Sequence, residues 1–160
     1  MTNPHAPATL DRAGIEARIP HRGPMCLLER MTRWDASRIE CLAINHRNPR
    51  HPLRTQSGLL ATASIEYAAQ AMALHGALCA AASGKEASPG FLASARDVRL
   101  GVWRLDDLPA ADPDALLVSA ERQAADATRI LYAFSLAHAG RTLATGRVAV
   151  VLDTALAGAS

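Results

Sequence analysis

Residues 57–82, SGLLATASIEYAAQAMALHGALCAAA, constrain the chain more than any other stretch. They are rich in alanine and leucine, contain no proline, and are apolar around most of a helical circumference. A helix that is apolar on every side belongs inside a fold rather than on its surface. Its polar exceptions are Thr62, Ser64, Glu66, Gln70 and His75. Glu66 and Gln70 are four apart and share one face. A carboxylate on such a helix is costly to bury unless it is paired, protonated or used, which makes Glu66 the first candidate for chemistry.

The remaining segments read as strands around that helix. Residues 1–10 are expected to be a flexible arm, residues 10–18 a short helix, and IPHRGPM an ordered turn punctuated by two prolines and a glycine. Residues 25–34 and 38–46 read as strands of one hairpin, with WDAS as the turn. The polar loop NHRNPRHPLRTQ then leads to the helix, for which Ser57 is the predicted N-cap and SGKEASPG the stop. Residues 91–100, 115–125, 128–138 and 141–152 read as further strands, the last two joined by a hairpin at Gly140, with a flexible tail after 153. Two strands, one long helix and about four strands in an antiparallel meander give an α+β domain.

At 160 residues the chain is predicted to be a single domain. A net charge of +2, with no long basic run, gives no case for nucleic acid. The three cysteines, Cys26, Cys41 and Cys79, show no zinc or redox spacing, and an odd number fits a reducing cytoplasm. MTNPHAPATLDRAG lacks the apolar core of a secretory leader, and the polar residues within 57–82 argue against a membrane span.

IPHRGPMCLLERM, a histidine-bearing loop, and Glu66, Ala69 and Gln70 in IEYAAQAM follow one another in an order that resembles the bacterial 3-hydroxyacyl-acyl-carrier-protein dehydratases. The more specific likeness is to their divergent branch associated with aryl polyene-type biosynthesis. The resemblance implies a hot-dog fold, in which a curved antiparallel sheet wraps a long central helix. It also implies dehydration of 3-hydroxyacyl thioesters on acyl carrier protein, no cofactor and no metal. One departure stands out. The family's loop runs His-Phe-Pro-Gly-x-Pro-x-x-Pro-Gly, whereas this chain has His51-Pro52-Leu53-Arg54-Thr55-Gln56-Ser57-Gly58.

Such a dehydration needs a base for the C2 proton, an acid for the departing hydroxyl and a donor to the thioester oxygen. His51 suits the base, since an imidazole titrates near neutrality. Glu66 suits the acid, because desolvation on an apolar helix favours a protonated carboxyl. Backbone N–H groups after Ser57, at Gly58 and Leu59, suit the oxygen. The resemblance places the acid on a partner subunit's helix, so the working unit is a homodimer or a heterodimer with a second hot-dog subunit. It also implies a cis peptide after the catalytic histidine, so His51–Pro52 is expected to be cis or tightly kinked. Gln70 and His21 are candidate substrate-binding residues, although Gln70 also suits a backbone hydrogen bond. His46 is the reserve for His51, and His75 reads as a core or interface residue. Arg47, Arg50 and Arg54 read either as a solvated loop or as a docking patch for an acidic carrier protein and its phosphopantetheine phosphate. Glu66 alternatively pairs with an arginine such as Arg96 or Arg99, and His51 alternatively faces solvent. Two other functions fit: a thioesterase in which Glu66 activates water, and a non-catalytic subunit that stabilises an active paralogue.

Overall fold

A computed structural model describes residues 6–153. Its strands form one antiparallel sheet: β1 (Leu10–Asp11), β2 (Arg30–Trp34), β3 (Arg38–Ala43), β4 (Gly90–Leu100), β5 (Leu116–Ala125), β6 (Arg129–His138) and β7 (Arg141–Leu152), in the spatial order β1-β2-β3-β5-β6-β7-β4. The helices are the short α1 (Arg12–Glu16) and the long α2 (Ser64–Ala82), and α2 packs chiefly on β3, β5 and β6. This is the hot-dog architecture.

Turn chemistry sets the hairpins. Asp35 Oδ1 accepts from the Ser37 and Arg38 amides between β2 and β3, and Asp126 Oδ1 does the same for Thr128 and Arg129 between β5 and β6. These Asx turns fix the local direction of the chain. Between β6 and β7, Ala139 and Gly140 both have positive φ, 48° and 79°, the backbone of a two-residue hairpin whose twist matches its strands. Helix α2 stops as expected: Gly84 adopts φ 67°, Lys85 N–H bonds Ala80 O and Gly84 N–H bonds Ala81 O, a Schellman arrangement.

The start of α2 differs from expectation. Ser57 is not its N-cap; a 3-10 turn at Ala61–Ala63 precedes the helix, which begins at Ser64 without a side-chain cap. Residues 55–61 are instead held extended and turned. Thr55 and Gly58 exchange two backbone hydrogen bonds, Leu59 O accepts from Leu105 N–H, and Ala61 N–H bonds Trp103 O. Asp106 Oδ1 accepts from Leu59 N–H, so a distant carboxylate outcompetes the helix for these groups.

Two further boundaries moved. The strand expected at 25–34 begins only at Arg30, because Met25 closes a 3-10 turn with Gly23 and Pro24. The expected N-terminal arm is docked in its described part: Pro7 O accepts from the Trp34 indole at 2.9 Å, and Leu10 pairs with Met31. The tail expected after 153 lies outside the described residues.

The core is aliphatic with two buried tyrosines, Tyr67 and Tyr132. Met72 and Leu74 belong to it. His75 is also fully buried. Its Nε2–H donates to Asp35 O and its Nδ1 accepts from the Tyr132 hydroxyl, each at 2.8 Å, so it is a satisfied core histidine. Strand β4 lies at the sheet edge, pairs only with β7, and exposes Phe91, Leu92 and Leu100. Among the described residues no helix is long and apolar enough to cross a membrane.

Candidate active site

The first turn of α2 presents two neighbouring side chains in opposite environments. Glu66 is partly exposed, at 38% of its side chain, and Tyr67 is fully buried. Each meets an imidazole from a proline-punctuated turn.

Glu66 Oε1 lies 3.3 Å from His21 Nε2 and accepts from Gln70 Nε2 at 3.1 Å. Its partner is therefore a histidine, and neither Arg96 nor Arg99. Gln70 is fully buried and pins the preceding turn. Its Nε2 also donates to Met25 O, and its Oε1 accepts from Leu27 N–H, both at 2.8 Å. That accounts for its backbone-binding role: both Nε2 hydrogens are used, and only one lone pair of Oε1 is left. His21 Nδ1 is buried without a partner.

His51 is 4% exposed, so the solvent-facing alternative does not hold. Leu53 N–H donates to its Nδ1 at 3.1 Å, which leaves the proton on Nε2. That Nε2 lies 2.9 Å from the Tyr67 hydroxyl, which donates onward to Asn45 Oδ1 at 2.6 Å. Burial pushes the His51 pKa down, and the nearby His46 and Arg54 add to that, so the ring is neutral near pH 7. Burial likewise raises the Tyr67 hydroxyl well above its ordinary value. The His51–Pro52 peptide is trans; the one cis peptide among the described residues is Asp112–Pro113. The kink at His51 comes instead from a turn closed by Arg54 N–H on His51 O.

A cavity of about 410 Å³ is lined by Asn45, Asn48, Arg50, His51 and Pro52 together with Arg12, Gly23 and Pro24. Of the three loop arginines, Arg47 is tied to Asp114 and to the carbonyls of Leu108 and Pro109, and Arg54 to Asp106. Among the described residues the Arg50 guanidinium alone of the three makes no ion pair or hydrogen bond, while its backbone N–H donates to Asn48 Oδ1.

One sequence expectation needs correction. The Gly58 and Leu59 amides are not helix N-terminal donors, since the first bonds Thr55 O and the second Asp106. The Leu59 side chain is fully buried in the core. Gly58 has φ 98°, and a Cβ there would lie 2.5 Å from Arg104 Nε, so glycine is required for the turn itself. The reserve candidate His46 is fully buried, with Nε2 3.3 Å from Asp114 Oδ1. Tyr67, Asn45, Asp114 and His138 were not singled out from sequence. Tyr67 had one usable signal, its place beside Glu66; the others are assembled by the fold.

A family model for the ApeP dehydratase matches residues 13–158. The chain belongs to the ApeP-like dehydratase family. No curated relative matches it by sequence. Among solved structures, this ApeP-like chain is similar to the dehydratase heterocomplex ApeI:P from Xenorhabdus doucetiae, at 22% identity and a TM-score of 0.77 over 89% of this chain and 93% of that one. A mutant thioesterase from Pseudomonas aeruginosa matches at 13% identity and 0.61, over 89% and 94%. A thioesterase-like protein from Silicibacter sp. TM1040 matches at 12% and 0.59, over 94% and 96%. These likenesses establish a shared fold for the ApeP-like chain.

Proposed function

We propose that the chain is one subunit of a heteromeric dehydratase that removes water from 3-hydroxyacyl thioesters carried by an acyl carrier protein. The observation that carries this reading is the pairing on one helical turn. Glu66 is accessible and held by His21, while the next residue, Tyr67, holds a neutral imidazole, His51, which lines a cavity. Protonated Glu66 gives its proton to the departing 3-hydroxyl, which leaves as water. A neutral imidazole takes the C2 proton, and the C2–C3 double bond forms. His21, on Glu66 Oε1, is placed to return a proton to the carboxylate. Arg50 beside the cavity suits a phosphopantetheine phosphate. The unpaired edge of β4 suits sheet pairing with a second hot-dog subunit, as the likeness to a heterocomplex suggests.

The hydrogen bonds of His51 favour a second reading, in which the partner subunit supplies the base. With Leu53 N–H on Nδ1 and the proton of Nε2 on Tyr67, no lone pair of His51 is left to accept from substrate. In that arrangement this chain contributes Glu66 and structural support.

Both readings are tested by assaying 3-hydroxyacyl-carrier substrates with the chain alone and with its second subunit, following enoyl formation and thioester hydrolysis together. Glu66→Gln is expected to lower dehydration by about 100-fold or more. His51→Ala should do likewise if His51 is the base, and should leave most activity if the partner supplies it. Hydrolysis without enoyl formation would replace the dehydratase by a thioesterase.

A further inference from the structure

The sheet register brings three side chains together away from Glu66. Leu116 pairs with both Ala43 and His138, so the end of β3, the start of β5 and the end of β6 lie side by side. His46 follows β3, Asp114 precedes β5, and His138 closes β6.

Both imidazoles aim Nε2 at one oxygen: Asp114 Oδ1 is 3.3 Å from His46 and 2.8 Å from His138. The rings are 5.6 Å apart and inclined at 69°, so their edges converge on the carboxylate. Arg47 Nε takes Oδ2 at 2.6 Å, and its other nitrogen reaches Oδ1 at 3.2 Å. One oxygen thus faces three donors, while His46 Nδ1 is buried with no partner at all. Three donors share the two lone pairs of that oxygen, and the contact from His46 is the longest of them.

We propose that His46, His138 and Asp114 form a binding site for a zinc-like divalent transition-metal ion. The set is two imidazoles and a carboxylate, with all ligand atoms within 4.8 Å of one another. Tetrahedral zinc with bonds of about 2.0–2.1 Å puts ligand atoms roughly 3.3–3.4 Å apart, so the 3.3 Å His46–Asp114 contact already has that spacing and the 2.8 Å His138–Asp114 contact would lengthen by about half an ångström. Asp114 is 34% exposed and leaves a side open for a solvent ligand. Arg47 keeps Oδ2 and orients the carboxylate, as outer partners of metal ligands do. On binding, the His46 proton moves to Nδ1, which has no acceptor, and this weakens the site relative to one whose outer nitrogen is paired. The ion would fasten the loop that carries His51 to the end of β6.

The test uses the chelator-treated full-length chain, titrated calorimetrically with zinc chloride and spectroscopically with cobalt chloride. One ion per chain, visible absorption bands of tetrahedral cobalt, and a zinc-dependent rise in melting temperature are expected. His138→Gln should weaken binding at least about tenfold. Should that variant fail to fold, Asp114→Asn serves in its place. Absence of saturable binding overturns the proposal, and so does unchanged affinity in a folded variant, which would put the ion elsewhere.

Discussion

At the level of single residues, the site depends on which groups still have hydrogen-bonding capacity. Gln70 has no donor left, since its Nε2 serves Met25 and Glu66 while its Oε1 accepts from Leu27. Tyr67 connects His51 to Asn45 through one hydroxyl, in a buried setting where a lost partner is expensive. Tyr67→Phe should destabilise the fold by about 1–3 kcal/mol in urea unfolding, because His51 Nε2–H loses its acceptor. A neutral result would mean that water replaces the hydroxyl. Glu66 and His51 stood out in the sequence because a carboxylate on a greasy helix and a histidine beside a proline are locally conspicuous. Their partners were not legible: His21 lies forty-five residues before Glu66, and only the folded turn brings it there.

At the level of elements, α2 and the hairpins were legible because period, alanine content and turn residues are local signals. The helix start was not, because Asp106 reaches back to Leu59 and Arg104 crowds Gly58 from a segment nearly fifty residues away. Asp106 is held well below the usual carboxylate range, chiefly by hydrogen bonds from Arg104. Gly58→Ala should therefore cost about 1–3 kcal/mol, read as a lower melting temperature, through both the positive φ and the collision with Arg104. An unchanged melting temperature would show that this turn does not fix the helix start. Acid has a defined effect at two histidines of α2's surroundings, His51 against Tyr67 and His75 within the helix. Burial lowers the pKa of both His51 and His75 below the ordinary value near about 6.5. The unfolded chain then binds more protons, so stability is complete above that value and falls as pH drops through the folded-state values. Each histidine contributes a slope of up to about 1.4 kcal/mol per pH unit. Thermal melts from pH 8 to pH 5 should show that decline, and a melting temperature flat below neutrality would contradict it.

For the whole molecule, the question is what completes the hot-dog unit. Its sheet ends on β4, an eleven-residue strand with an open edge and three exposed large apolar side chains. Long open edges of this kind invite pairing with another chain. Phe91→Lys together with Leu92→Lys should weaken association with the second subunit by about tenfold or more, measured by analytical ultracentrifugation, while leaving the fold intact. Unchanged association would move the interface off β4. The element order already implied the hot-dog architecture, and the motif order implied the dehydratase family. The altered loop after His51 remains the feature that separates this chain from the family's usual pattern.

The most direct measurement is enoyl formation from a 3-hydroxyacyl carrier thioester by the assembled pair, with native Glu66 and with Glu66→Gln in this chain only. The account predicts turnover for the first and a loss of about two orders of magnitude for the second, with assembly unchanged. Full turnover by the Gln variant would show that this carboxylate takes no part in the reaction.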